Sequence, residues 1–370
     1  GQYPFTVYAS IGSSIYGYDL RQTKSPIIQE YHCDLTNHLK GGEEINQITF
    51  SFLEKNKKHP FFAVADDDGY ARVTDKVPRR LRAWNTTNSG TAASTGTDPN
   101  SASSKIPFKT LHHDVDDSCA MVTSIAFRPR CKTVDLVTGG TDCTVHLWDV
   151  NRPRRPSSSI HITRDDAGAN QICNPPIVHS LSWSSSGRLL AAGLGDGSTS
   201  IVSVEGRKLV EGCRLRGGHD AAVAAVLFPR FLSGLGDVAV SSSHVTADDR
   251  MMISAGNDGS IIFWDLGTKV AGKFAVDPST VLEDCRNDTD DTVMNGTDAD
   301  VDATLEQKME GLSTHDSDAN VEEPKILFGL QHTKKANWIE SSTSSEPSLP
   351  TSLFIADTSN DITAYILSRI

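Results

Sequence analysis

Long apolar runs and paired cysteines are what this sequence lacks. No apolar run approaches the roughly 18–20 residues that a membrane-spanning helix needs, so we expect no such helix. The seven cysteines are an odd number, and no two of them form a Cys-x-x-Cys pair. A disulfide framework or a zinc site is therefore not expected, and a reducing compartment fits better. We predict a cytoplasmic or nuclear location.

Catalytic motifs are also missing. The sequence has no Walker loop, no Gly-x-Ser-x-Gly and no His-Glu-x-x-His, and its histidines and cysteines do not cluster at metal-ligand spacing. His112-His113-Asp114 could hold a metal ion or a catalytic base, but we favour a loop that enters a strand. Asp66-Asp67-Asp68 could bind a cation, although matching turns elsewhere carry one aspartate in a structural role. We predict a non-enzymatic protein without metal or cofactor.

The negative charge is concentrated in one segment. The net charge is −12, but residues 277–323 contain 15 acidic and 2 basic residues, which leaves 32 acidic and 33 basic residues elsewhere. Such blocks are usually solvated, so we predict a disordered acidic loop at 277–323. Residues 85–105 are rich in Ser, Thr, Gly, Ala and Asn. We predict a second disordered loop there, because it has almost no apolar side chains to offset its ordering entropy.

The most informative stretch runs from Gly217 to Asp265. It begins with Gly-Gly-His, continues through short apolar runs and a turn at Asn257-Asp258-Gly259, and ends in Trp-Asp. A Gly-His followed by strands and a final Trp-Asp is typical of one propeller blade. The stretch resembles a WD repeat, and the resemblance implies a buried hydrogen-bonded relay of four side chains, His219, Ser254, Asp258 and Trp264.

Similar units recur along the chain. Thr138, Asp142 and Trp148 repeat the spacing of the serine, aspartate and tryptophan above, and His113 is a candidate fourth member although it lies farther upstream. In the next unit Val202 stands at the tryptophan position, so we expect no relay there. Short apolar runs bounded by Gly, Asp and Ser favour strands over helices. Six such units predict a single propeller over residues 1–370.

The order of the features resembles one family more closely. The features that carry this resemblance are Glu43-Glu44-Ile45-Asn46, Ile125-Ala126-Phe127-Arg128-Pro129, Asn174-Pro175-Pro176, Gly256-Asn257-Asp258-Gly259, the acidic insertion before Asn337-Trp338, Ala356-Asp357 and Tyr365. In this order they are similar to the WD repeat-containing protein 53 family, which implies an all-β, WD40-type propeller of seven blades. We count five complete blades and one partial blade, so we expect the N-terminal blade to be incomplete and 362–367 to form an exposed edge.

Basic residues are expected on one face of the propeller. The loops that join the first to the second and the third to the fourth strand of each blade emerge on the same face. The basic residues that we place there are Arg79, Arg80, Arg82, Arg128, Arg130, Lys132, Arg152, Arg154 and Arg155. They form either a scattered solvated surface or a contiguous patch that suits an acidic partner or phosphates.

These features predict a monomeric protein-interaction platform. The leading hypothesis is a substrate receptor of a cullin-4 RING ubiquitin ligase, because Tyr18-Asp19-Leu20-Arg21 matches the form in which such receptors present an arginine to the ligase adaptor. Asp19 and Arg21 are the predicted adaptor-binding residues, although they could simply pair on the surface. A scaffold for basic peptides such as histone tails, bound by Asp68, Asp196 and Asp361, is the alternative. Nucleic-acid binding through the basic face is less favoured.

Overall fold

The structure of the chain is a computed structural model. It describes residues 6–19, 32–34, 44–51, 61–75, 108–113, 120–131, 133–164, 174–229, 249–267, 323–341, 351–359 and 362–367. Within these ranges the chain forms 22 β-strands, which confirms the predicted all-β class. The loop predicted at 85–105 lies outside the described residues. So does the loop predicted at 277–323, apart from its last residue.

The strands form six sheets in which strands that follow one another along the chain lie side by side. Sheets 1 to 3 consist of β1 (Thr6–Ile11), β2 (Ser14–Asp19) and β3 (His32–Asp34); β4 (Ile45–Phe50), β5 (Phe62–Asp66), β6 (Tyr70–Thr74) and β7 (Lys109–His112); and β8 (Val122–Phe127), β9 (Asp135–Gly140), β10 (Thr144–Asp149) and β11 (Ser158–His161). Sheets 4 to 6 consist of β12 (Val178–Trp183), β13 (Leu189–Leu194), β14 (Thr199–Glu205) and β15 (Lys208–Leu215); β16 (Val223–Leu227), β17 (Met251–Gly256), β18 (Ser260–Asp265) and β19 (Lys325–Gln331); and β20 (Ala336–Ser341), β21 (Thr351–Asp357) and β22 (Ile362–Leu367). Meandering four-stranded sheets of this kind are the blades of a β-propeller.

Five sheets share one irregularity in their first strand. The ladder between the first and second strands shifts register between Ile45 and Gln47, Val122 and Ser124, Val178 and Ser180, Val223 and Ala225, and Ala336 and Trp338. Such a bulge bends the strand and increases its twist. Its recurrence at the same place shows that the sheets are copies of one structural unit.

A residue in the left-handed conformation sets the turn between the second and third strands. Gly69, Gly197 and Gly259 fill this position in sheets 2, 4 and 5, with φ of 79°, 83° and 81°. In sheet 3 the residue is Cys143, with φ of 62°. A residue with a Cβ atom pays about 1–2 kcal/mol in this region. Sheet 3 therefore carries a local strain that its neighbours avoid.

The chain divides into two compact units, and apolar side chains pack within each. The first unit comprises Gly1–Arg128, Thr133–Asp142 and His146–Ser157, and the second comprises Pro129–Lys132, Cys143–Val145 and Ser158–Ile370. In the first unit, small residues such as Ala63 share a core with Trp148. In the second unit, sheets 4 and 5 share a core that contains Ile201 and Trp264, and sheets 5 and 6 share another.

The structure agrees with most of the predicted strands. The predicted ranges 122–127 and 362–367 match strands β8 and β22, and strand β19 completes sheet 5 as expected. The prediction missed the outer strands of several sheets, for example β7 and β11, because their side chains are largely exposed and form no apolar run. Four sheets have four strands and two have three within the described residues, and the count of seven blades stays a prediction.

Candidate functional site

The structure brings together the four side chains predicted to form a relay in sheet 5. Ser254 Oγ lies 2.6 Å from His219 Nε2 and accepts a hydrogen bond of 2.8 Å from Trp264 Nε1. On the other side of the ring, His219 Nδ1 lies 3.6 Å from Asp258 Oδ1. The closer link between these two residues runs through Ser260, whose Oγ lies 2.7 Å from His219 Nδ1 and donates to Asp258 Oδ1 at 2.5 Å.

Asp258 is the hub of this relay and of the turn that carries it. Besides the contacts above, its carboxylate accepts hydrogen bonds from the backbone N–H groups of Asp220 and Ser260, at 2.7 and 2.9 Å. Burial alone would raise the pKa of Asp258, but the hydrogen bonds from His219, Ser260 and the two backbone groups outweigh it. They hold the pKa of Asp258 far below its usual value, so the carboxylate stays ionised.

Two glycines make room for the relay. A Cβ atom on Gly218 would lie 2.5 Å from Trp264 Cζ2, and one on Gly256 would lie 2.4 Å from Asp258 Oδ1. Real Cβ atoms essentially never approach other atoms this closely. The glycine before His219 is therefore required for the indole to pack, which explains the Gly-His pair at the start of the stretch.

Sheet 3 contains a second relay, in which the histidine ring has the opposite orientation to that of His219. His113 Nδ1 lies 2.7 Å from Thr138 Oγ1, and His113 Nε2 lies 3.2 Å from Asp142 Oδ1. Trp148 Nε1 donates to Thr138 Oγ1 at 2.9 Å. The aspartate therefore faces Nε2 here and Nδ1 in sheet 5. The fold places His113 beside Asp142 although it lies far upstream in the sequence.

A second histidine, His146, lies against this relay and was not found by sequence reasoning. Its ring centroid is 4.5 Å from that of His113 in an edge-to-face arrangement, and its Nε2 lies 3.2 Å from the backbone oxygen of His113. Burial and the neighbouring His113 lower the pKa of His146 to about 4, so the ring is neutral at neutral pH. The corresponding residue in sheet 5 is Ile262. Because His146 lies within an alternation of apolar residues, the sequence pattern did not single it out.

Sheet 6 carries a third arrangement of this kind that the sequence search also missed. His332 Nε2 lies 2.8 Å from Asp357 Oδ2, and His332 Nδ1 lies 2.9 Å from the Tyr365 hydroxyl. Hydrogen bonds from Ser359 and then from His332 lower the pKa of Asp357 to about 2. Burial raises the pKa of Tyr365. The spacing search failed because Asp357 precedes its aromatic partner by eight residues, and by six in the other two sheets.

Sheet 4 fixes its turn aspartate in another way. Val202 is fully buried at the tryptophan position. Asp196 accepts hydrogen bonds from the backbone N–H and the hydroxyl of Ser198, at 3.0 and 2.5 Å, and pairs with Arg214 at 3.5 Å. Arg214 also contacts Glu211 at 2.9 Å. An arginine thus takes the place of the relay histidine, and Asp196 is buried and already ion-paired.

The aspartates of the two Trp-Asp pairs close the turns that follow. Asp265 forms a buried ion pair with Arg250, with Nε–Oδ1 and Nη2–Oδ2 distances of 2.6 and 2.7 Å. Burial would raise the pKa of Asp265, but the hydrogen bonds from Arg250 lower it. Asp149 Oδ1 accepts a hydrogen bond of 2.9 Å from the backbone N–H of Asn151. The same residue type therefore begins both turns.

Among the described residues, the aspartate run and the double histidine do not form a shared metal site. Asp66 is buried and ion-paired with Arg72, and Asp67 accepts a hydrogen bond of 2.7 Å from Asn46. His112 ends strand β7 with its ring stacked on Tyr70, while His113 turns inward to the relay. Asp114 and Asp361 lie outside the described residues.

The predicted interaction residues differ in what the structure describes. Asp19 is the last residue of strand β2. Arg128 lies 3.6 Å from Asp135, so its charge has an internal partner. Arg130 is exposed. Five other predicted residues lie outside the described ranges: Arg21, Arg79, Arg80, Arg82 and Lys132.

The turn that follows strand β10 presents the remaining three arginines. Arg152, Arg154 and Arg155 are all exposed, and no ion pair is found for them among the described residues. The backbone N–H of Arg152 donates to the backbone oxygen of Asp149 at 2.8 Å, which fixes the start of the turn. The turn therefore displays three positive charges to solvent on a fixed base.

One face of sheet 6 is apolar and exposed. Trp338 is 47% exposed, and Ile362 and Ile366 are 68% and 64% exposed. Trp338 pairs across the sheet with Ala356, which pairs with Ile362, so these residues lie on one face. The opposite face packs on sheet 5. Among the described residues no helix is long and apolar enough to cross a membrane.

Comparison with known proteins agrees with this architecture. The family model "WD domain, G-beta repeat" matches residues 106–149 and 172–202, which include the relay of sheet 3. The chain carries WD40 repeats. WD40 propellers are generally non-enzymatic scaffolds for protein interactions, which is the coarse function predicted from the sequence.

Two curated relatives are similar to this chain. The WD repeat-containing protein 53 homolog of Dictyostelium discoideum is 24% identical over 286 residues, which cover 72% of this chain and 63% of that protein. The WD repeat-containing protein VIP3 of Arabidopsis thaliana is 31% identical over 109 residues, which cover 29% of this chain and 32% of that protein. The chain thus spans less than two thirds of the length of either relative.

Solved structures support the fold alone. Sqt1 of Saccharomyces cerevisiae matches 99% of this chain and 70% of its own chain, with a TM-score of 0.55 and 8% identity. Raptor of Chaetomium thermophilum matches 100% of this chain and 23% of its own chain, with a TM-score of 0.53 and 12% identity. At this level of identity the similarity does not extend to a binding site.

Proposed function

We propose that this WD40 chain is a protein-interaction platform that docks on an acidic protein surface through arginine side chains, among them those of the turn after strand β10. The observation that carries the proposal is the exposure of Arg152, Arg154 and Arg155 on a turn anchored by Asp149. Arginine suits such a contact because its planar guanidinium binds carboxylates through two parallel hydrogen bonds. By contrast, Arg128 is engaged by Asp135 and contributes less.

The specific partner that we propose is the adaptor of a cullin-4 RING ubiquitin ligase, with this chain as a substrate receptor. The support is the resemblance of Tyr18-Asp19-Leu20-Arg21 to the receptor motif, which begins within strand β2. The Trp-Asp pair at 148–149 is followed by Arg152 with one residue more than the motif allows. The first motif is therefore the main proposed contact and the second is auxiliary.

A pull-down with the purified adaptor tests this proposal. We expect Arg21→Ala to abolish recovery and Arg152→Ala to weaken it. Arg188→Ala is the matched control, because Arg188 is also exposed but lies in a turn outside both motifs. Recovery of the adaptor at the wild-type level by both motif variants would contradict the proposal. The first motif begins within strand β2 of sheet 1, whose first strand begins at Thr6. The experiment therefore requires a chain that includes the sequence before residue 6.

The same arginines distinguish a protein partner from a nucleic acid. Binding to a polyanion that does not depend on sequence falls steeply as salt rises, because counterions are released. The test is binding of single-stranded RNA or heparin at low salt by the wild type and by a triple Ala variant at Arg152, Arg154 and Arg155. An anionic ligand is the better assignment if the wild type binds, the triple variant does not, and the adaptor is not recovered. The engagement of Asp196 by Arg214 removes support from the basic-peptide alternative.

A further inference from the structure

We propose that His113, Asp142 and His146 form a binding site for a zinc ion inside sheet 3. One potential ligand atom from each of the three side chains lies within 4.8 Å of the other two. Among the described residues this is the one group of three histidine, cysteine or carboxylate side chains that meets this criterion. Histidine nitrogen and carboxylate oxygen are both common zinc ligands.

The first edge of the site already has the spacing that zinc requires. At zinc–ligand distances of about 2.0–2.1 Å, two ligands of a tetrahedral site lie about 3.3 Å apart. His113 Nε2 and Asp142 Oδ1 lie 3.2 Å apart. Zinc would take the place of the proton between these two atoms, and the His113 proton would then reside on Nδ1. The ligand atom of His146 lies within 4.8 Å of the other two, so its ring has to move closer for all three side chains to bind one ion.

The surroundings match those of a zinc-bound histidine. Such a histidine usually donates its second ring N–H to an oxygen, which fixes the ring and its tautomer. His113 Nδ1 faces Thr138 Oγ1 at 2.7 Å, and His146 Nε2 faces the backbone oxygen of His113 at 3.2 Å. In these tautomers His113 Nε2 and His146 Nδ1 carry the lone pairs that would bind the ion.

The site is closed on the histidine side and open on the carboxylate side. His113 and His146 are 0% and 5% exposed, whereas the Asp142 side chain is 21% exposed. An ion can therefore enter past Asp142, and a water molecule can complete its coordination from the same side. Three protein ligands and one open position are a common zinc arrangement.

Sheet 5 supplies an internal control. It has the equivalent histidine and aspartate, His219 and Asp258, but Ile262 stands where sheet 3 has His146. The histidine–aspartate pair is thus part of the repeat, and among the described residues sheet 3 adds a third histidine or carboxylate ligand to it. The substitution His146→Ile places in sheet 3 the residue that stands at the equivalent position of sheet 5.

The test is titration of the purified chain with Zn²⁺ and Co²⁺, read by calorimetry and by the visible absorption of Co²⁺. We expect one tetrahedral site in the wild type without a thiolate charge-transfer band. His146→Ile should weaken the affinity by at least tenfold and leave the circular dichroism spectrum of the metal-free chain unchanged. Equal metal binding by the wild type and this variant, or a Co²⁺ spectrum dominated by thiolate, would overturn the proposal.

A second variant keeps the test decisive if His146→Ile unfolds. Asp142→Asn preserves size and one hydrogen-bonding oxygen but removes the negative charge, so it should also weaken zinc binding by at least tenfold. Asp258→Asn makes the same change in sheet 5 and should leave zinc binding unchanged. If the two asparagine variants bind zinc equally, the ion is not held by sheet 3.

Discussion

Sheets 5 and 4 each have an aspartate at the equivalent position of a turn, but different side chains fix it. In sheet 5, Asp258 connects through Ser260 to His219 and onward to a buried tryptophan. In sheet 4, Asp196 pairs with Arg214, and Val202 fills the tryptophan position. The first arrangement links the turn to the core of the sheet. The second ends at Arg214, which also contacts Glu211 and the backbone oxygen of Thr163. The fold therefore requires a fixed turn but not one particular relay.

The largest expected effect comes from exchanging the core residues of this comparison. Trp264→Val gives sheet 5 the residue of sheet 4, removes most of a fully buried side chain and leaves Ser254 without its indole donor. Large-to-small changes of this kind cost about 3–5 kcal/mol. We expect the free energy of unfolding, measured in urea, to fall by that amount.

A neighbouring change separates loss of the relay from loss of volume. Ile262→Val removes one methylene group from the same strand and should cost only about 0.5–1.5 kcal/mol. If Trp264→Val costs no more than Ile262→Val, the tryptophan is not part of a stabilising network.

The second effect concerns the aspartates themselves. Asp258→Ala removes the acceptor of the Ser260 hydroxyl and of two backbone N–H groups, and leaving such groups unsatisfied costs about 1–3 kcal/mol. Asp196→Ala should cost less, because Arg214 keeps its contacts with Glu211 and with the backbone oxygen of Thr163. Thermal melting of both variants is the measurement. Equal melting temperatures would show that the two arrangements are energetically equivalent.

The comparison also shows how much of the site could be predicted. The serine or threonine, the aspartate and the tryptophan of the relays in sheets 3 and 5 share a fixed spacing, and the resemblance to WD repeats implies the histidine of each. The bridging Ser260 was not predicted. The relay of sheet 6 escaped because its longer turn moves Asp357 away from that spacing. Arg214 and His146 were not predicted, because the pattern of their strands shows only which face of the sheet each side chain occupies and not which residues it contacts. Their partners are set by the packing of three-dimensional neighbours, which no local spacing encodes.

The third effect is a dependence on pH. The pKa of Asp258 is lower in the folded chain than in the unfolded chain, where it is about 3.9. The stability that Asp258 contributes is therefore complete when the pH is above its pKa in the unfolded chain. It is lost as the pH falls towards its pKa in the folded chain. We expect the free energy of unfolding to decrease more between pH 5 and pH 3 in the wild type than in Asp258→Asn. The same decrease in both proteins would mean that this carboxylate is not preferentially ionised in the folded state.

The smallest effect tests the turn rather than the relay. Cys143 of sheet 3 adopts the left-handed conformation that glycine adopts in sheets 2, 4 and 5. Cys143→Gly should remove a strain of about 1–2 kcal/mol, and the greater freedom of glycine in the unfolded chain offsets about 0.5–1 kcal/mol of this gain. The net stabilisation should raise the melting temperature by about 1–3 °C.

A control for this last variant isolates the backbone from the thiol. Cys143→Ala removes the sulfur but keeps the Cβ atom, so it retains the strain and should melt at a lower temperature than Cys143→Gly. The reverse change in sheet 5, Gly259→Ala, should be costlier than the strain alone, because its Cβ atom would lie 2.6 Å from the backbone oxygen of His332. If the alanine and glycine variants at position 143 melt alike, the conformation of the turn is not what limits sheet 3. The strain would then have been relieved elsewhere in the turn, and sheets 3 and 5 would differ in their side chains alone.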